Sequence, residues 1–156
     1  MNMAMSIINC GELDVAIWLH TDEDPGREPW SEATNQVASL KQTRGGDVSG
    51  IRTLAITDGG APNSLQRKQL HSDVLGGNAP STVISNVLSN RFKRGIVTAI
   101  SWLNPSFRGF QPEDYLKAFE HIELGSHIDT IFAEVGKLQQ QLPPVETWKL
   151  LKKLRA

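Results

Sequence analysis

Residues Val15 to Leu19 read VAIWL, apolar at every position. A strand with one wet face alternates polar and apolar residues, whereas a strand covered on both faces reads as an unbroken apolar run. The run therefore calls for a sheet with a layer packed on each side. Ile51 to Thr57 and Ser81 to Ser85 are further short β-rich runs, and helix-length amphipathic stretches separate them. Parallel neighbours need crossovers of this length, and such crossovers are right-handed. The expected fold class is α/β: a small, mostly parallel sheet with helices packed on it.

Ser6 to Asn9 and Leu13 to His20, joined by Cys10-Gly11-Glu12, predict an opening antiparallel hairpin. Pro29 to Gln42 places Trp30, Ala33, Val37 and Leu40 on one helical face, and Gly45-Gly46 stops it. A second helix is expected from Pro62 to Leu75, with Gly76 as its cap. A third, from Val87 to Leu103, carries Phe92, Ile96, Ile100 and Leu103 on one stripe, and Asn104-Pro105 ends it. Ser106 to Phe110 suits an edge strand. Helices from Pro112 (Tyr115, Ala118, Phe119, Ile122) and from Ser126 (Ile128, Ile131, Phe132, Val135, Leu138, Leu142) follow. Pro143-Pro144 then breaks the chain. The organisation expected is one domain over residues 1–142 and a basic amphipathic tail helix over 143–156.

With 156 residues, 39% apolar and 21% charged, the chain can bury a single core without staples. Cys10 is the only cysteine, so no intramolecular disulfide and no cysteine metal site can form. The first ten residues carry no basic stretch and no long apolar run, so neither a signal peptide nor a membrane span is expected, and the default location is cytoplasmic. His20, His71, His121 and His127 show no ligand-pair spacing. No Gly-x-Ser-x-Gly elbow, GxGxxG or P-loop is present. Neither cofactor, metal nor catalytic residue is implied, and the reading is non-enzymatic. Arg91, Lys93, Arg94 and Arg108 lie near Phe92 and Trp102, but a pI of 6.4 argues against nucleic-acid binding.

Three stretches carry a likeness to a known family. A short hairpin precedes the first helix, the strand IRTLAIT (Ile51 to Thr57) runs straight into a small-residue loop and helix, and FQPEDYLKAF (Phe110 to Phe119) turns from strand through Pro-Glu-Asp into an Ala-plus-aromatic helix. This order resembles the SpoIIAA-like branch of the STAS superfamily, whose founding members are anti-sigma-factor antagonists, over roughly residues 6–124. The resemblance implies a phosphorylatable serine at the helix after the middle strand and a protein partner. Here that stretch is TDGGAPNS (Thr57 to Ser64), so Ser64 matches in type but lies several residues late. The helices after Gly125 are additional to the family's simple domain.

In open parallel sheets ligands sit at the carboxyl ends of the strands. Asp58, Gly59, Gly60, Ser85 and Asn86 are the candidate ligand loop, and Asp58 and Ser64 the candidate phosphoacceptors. The tail has Trp148, Leu151 and Leu154 at every third position, with Lys152 and Lys153 largely elsewhere, which makes it a candidate partner-binding helix. Packing back on its own domain, or on a protein partner or second copy, is preferred to a membrane surface. The leading functional expectation is a non-catalytic regulatory or scaffolding interaction module; the alternative is a small-ligand-binding or phosphoacceptor domain using the strand ends around Asp58.

Overall fold

In the computed structural model residues 1–156 are described, the side chain of Phe92 excepted. That residue's expected place on an apolar stripe therefore lies outside the described residues. Strands β1 (Met3–Cys10) and β2 (Leu13–His20) form the antiparallel hairpin, with Gly11 at φ 70° making the turn. Helix α1 (Arg27–Thr43) leads to β3 (Ile51–Thr57). Helix α2 (Ser64–Arg67) widens into a π-helical segment, Lys68–Val74, before β4 (Ser81–Ser85). Then come α3 (Arg91–Leu103), β5 (Phe107–Phe110), α4 (Tyr115–His121), α5 (Ile128–Gln139) and α6 (Glu146–Arg155).

The sheet order is β1-β2-β3-β4-β5, and every pair after the hairpin is parallel. Because each new strand adds on the same side, right-handed crossovers put α1, the 64–74 segment and α3 on one face. The C-terminal helices α4, α5 and α6 are left to cover the other. The α/β class with an N-terminal hairpin and extra C-terminal helices is therefore the observed architecture.

The two faces differ in what the strands send to them. Towards α4–α6, β2, β3 and β4 present Val15, Ile17, Leu19, Leu54, Ile56 and Ile84, all fully buried. Towards α1–α3, β3 presents Thr53, Ala55 and Thr57, and β4 presents Ser81, Val83 and Ser85. Large aliphatic side chains close-pack against helices; a floor of Thr, Ala and Ser does not reach them. The core on this second face accordingly falls into two clusters. One lies around Trp18, Trp30, Val37 and Leu70, the other around Val83, Leu88, Ile100 and Phe107, and Ala55 touches both.

Several boundaries differ from the expected ones. Strand β1 starts at Met3 because Met3, Met5 and Ile7 extend its packed face. Helix α3 starts at Arg91, since Val87 to Asn90 form a turn that drops Leu88 into the core. The helix expected over 62–75 is interrupted by its π-helical winding, which lets the adjacent Leu70 and His71 both face inward. Helix α6 belongs to the main core, with Val145, Trp148 and Leu151 buried in the same cluster as Leu54 and Ile56.

Candidate functional site

Between the small-residue floor and helices α1–α3 lies a cavity of about 80 Å³, well above the ~10–15 Å³ that a single water needs. Its walls are largely apolar. Trp18 and Ala55 come from the sheet, Trp30 from α1, Leu70 and His71 from the π-helical segment, and Ile96, Val97 and Ile100 from α3. Ala55 sits mid-sheet on the central strand, yet it is only half-buried, because the cavity takes the place of a neighbour. The 59–62 loop, Val87 and Lys93 form the rim, and Lys93 Nζ donates to the Gly59 carbonyl at 2.8 Å.

Polar atoms without partners are concentrated on these walls. The indole Nε1 atoms of Trp18 and Trp30 and the Nδ1 atoms of His20 and His71 are buried and make no hydrogen bond. All four side chains line the cavity. The two indoles lie 6.4 Å apart, and His71 meets Phe107 edge to face at 5.3 Å. Burial holds both imidazoles at about pH 4, well below the ordinary histidine value. The Asp24 charge offsets part of the effect at His20, whereas the Arg67 charge adds to it at His71. Both rings are thus neutral at pH 7, each with one N–H and one acceptor. An unsatisfied buried polar group costs about 1–3 kcal/mol, so four such side chains on the walls of one void single it out as the candidate site.

The residues singled out at the strand ends hold the fold together. Asp58 directs both carboxylate oxygens at the start of α6: Oδ2 accepts from Glu146 N at 2.6 Å and Oδ1 from Thr147 N at 2.8 Å. Val145, at the N-cap position, gives no side-chain cap, so Asp58 supplies one from the far end of β3. The N–H of Gly59 goes to Thr57 Oγ1, that of Gly60 to the Thr21 carbonyl and that of Ala61 to Asp24 Oδ1. A Cβ on Gly60 would overlap the carbonyl oxygens of Thr21 and Glu23, so glycine is required for this close approach. These amides are engaged within the protein and do not form a phosphate cradle. Ser85 is buried and its Oγ donates to the Thr57 carbonyl at 2.6 Å. Asn86 is exposed, and its N–H donates to Thr147 Oγ1.

Ser64 is exposed at the first residue of α2. Asn63 and Gln66 make reciprocal 2.9 Å bonds around it, closing a capping box. In α6, Trp148 and Leu151 are buried against the chain's own core, with Trp148 edge-on to Phe132 at 4.9 Å. Leu154 is 41% exposed, and Lys152 and Lys153 are exposed, the former lying over the Trp148 ring. Of the packings expected for this apolar face, the one on its own domain is observed for Trp148 and Leu151. The basic residues of α3 divide: Arg91 and Lys93 line a cleft towards α2, while Arg94 lies towards β5.

Of the cavity residues, sequence reasoning reached Ser85, Gly59 and Gly60 but missed the pairing of Trp18 and Trp30 with His20 and His71. The available signal was the row of small residues at alternate positions of β3, Thr53, Ala55 and Thr57, between the larger Arg52, Leu54 and Ile56, with Ser81 and Ser85 at the two ends of β4. Among the described residues no group of His, Cys, Asp and Glu converges to hold a metal ion, and no helix is long and apolar enough to cross a membrane. Fold and cavity together define a class: a layered α/β protein with a hollow between its sheet and its crossover helices. Comparison with protein-family models, curated proteins and solved structures finds no match to the chain.

Proposed function

We propose that the chain is a non-catalytic small-molecule-binding module whose ligand occupies the cavity between the sheet and α1–α3. The observation that carries this reading is that four side chains with unpartnered ring nitrogens, Trp18, His20, Trp30 and His71, all line one apolar void. Apolar walls with a few convergent polar groups and displaced pKa values are the usual make-up of a ligand pocket. The test is filling the floor. A small branched alcohol such as 4-methylpentan-1-ol should raise the melting temperature and perturb the fluorescence of Trp18 and Trp30. Ala55→Leu should abolish both responses while leaving the fold intact. If the alcohol acts equally on Ala55→Leu, the ligand lies elsewhere.

A second reading is the regulatory interaction module that the STAS-type resemblance implies. It is supported by Ser64, exposed at the start of α2, and by its neighbour Leu65, which is 78% exposed. A phosphate there would add about −1.5 to −2 charges beside an apolar contact point. If this reading holds, Ser64→Asp changes the affinity for a protein partner or the oligomeric state. A cytoplasmic setting goes with either reading, supported by a lone, buried cysteine whose thiol burial pushes above its ordinary value.

A further inference from the structure

The cavity adjoins a second, outer cleft of about 520 Å³, the two sharing Ala61, Pro62, Lys93 and Ile96. The chemistry changes abruptly across that shared rim. Inside, the walls are aromatic and aliphatic; outside, the cleft is lined by Arg67, Arg91 and Lys93, with Asp24 as the single opposing charge. Asp24 Oδ1 already accepts the Ala61 N–H at 3.0 Å, and Arg67 Nη1 is steadied by the Pro62 carbonyl at 2.9 Å. Arg91 is exposed. A net positive cleft at the mouth of an apolar hollow favours an anion whose remainder is apolar.

Resting on the ligand reading above, we infer that the ligand is a small anionic amphiphile: a short apolar stem seated in the cavity and a carboxylate-type group held by Arg67 and Arg91, with Lys93 at the rim. Size limits the stem. At ~10–15 Å³ of cavity space per water-sized group, 80 Å³ takes about five to eight such groups, a branched or small cyclic stem and not a lipid acyl chain. Guanidinium groups are matched to planar carboxylates by their paired N–H donors. The neutral, buried His20 and His71 put no positive charge inside, so the charged end is directed outward.

The experiment compares two probes of one carbon skeleton, 4-methylpentanoate and 4-methylpentan-1-ol, by calorimetric titration of the full chain. The carboxylate should bind about tenfold or more tightly than the alcohol, as charge-assisted hydrogen bonds require. Arg91→Gln combined with Arg67→Gln should bring the carboxylate down to the level of the alcohol and leave alcohol binding unchanged. Arg67→Lys, which retains the charge, should keep most of the preference and controls for loss of the Pro62 contact. Equal binding of both probes to the unaltered chain would overturn the anionic assignment while the ligand reading stands. A carboxylate preference that survives the double substitution would overturn it as well. Binding of neither probe at low-millimolar concentration would overturn the ligand reading itself.

Discussion

Asp58 accepts the first two free N–H groups of α6, and no residue of α6 or its approach replaces that cap. Asp58→Ala should therefore lower stability by about 1–2 kcal/mol, read as a shift in the urea midpoint, with Asp58→Asn falling between the two because one acceptor remains. His20 and His71 respond to pH instead. Their folded values, about 4, lie below the unfolded 6.5, so below pH 6.5 the unfolded chain takes up protons that the folded chain refuses. Stability is fully present above pH 6.5 and falls as the pH drops towards 4, each histidine contributing a loss on the order of 3 kcal/mol. Urea unfolding across that range should show the decline, and His20→Gln with His71→Gln should flatten it.

At the scale of elements, α6 carries the clearest consequence. Trp148 packs on Phe132 and is 2% exposed, and Thr147 Oγ1 donates to the Thr57 carbonyl at 3.0 Å. Trp148→Ala should cost about 3–5 kcal/mol, and removing residues 143–156 should lower the melting temperature sharply without changing the oligomeric mass. The Arg155–Asp129 pair at 3.1 Å, by contrast, is surface-exposed and contributes little; Asp129→Asn should leave the melting temperature nearly unchanged. The basic amphipathic pattern of α6 was legible in the sequence, but which surface its apolar stripe covers was not. Periodicity shows that a face is buried, whereas the partner depends on contacts from distant strands.

For the molecule as a whole, the strand order runs monotonically across the sheet. Such an order has no point where the crossovers change face, the place where open α/β sheets usually form their crevice. The hollow arises between layers instead, from small residues on one face of β3 and β4. The two faces should therefore respond oppositely to substitution. Leu54→Ala, on the filled face, should cost about 2–5 kcal/mol, whereas Ala55→Leu, one residue on and pointing into the hollow, should be close to neutral in urea denaturation. Equal losses at both positions would mean that the second face is already close-packed.

The sequence by itself determined the α/β class, the hairpin, the parallel crossovers and most element positions, because these follow from local periodicity and turn chemistry. VAIWL (Val15 to Leu19) could only be a strand covered on both sides, and Gly11, Gly45-Gly46 and Pro143-Pro144 mark where elements end. Tertiary structure alone decided the rest. Asp58 reads as a strand-end carboxylate in the sequence and becomes a helix cap only because α6 returns across 88 residues to meet it. Trp18, Trp30, His20 and His71 lie on three separate elements, and their convergence depends on strand register and on the π-helical turn at Lys68–Val74. A void is a relation among residues far apart in the chain, so its polar lining is visible only once the layers have packed.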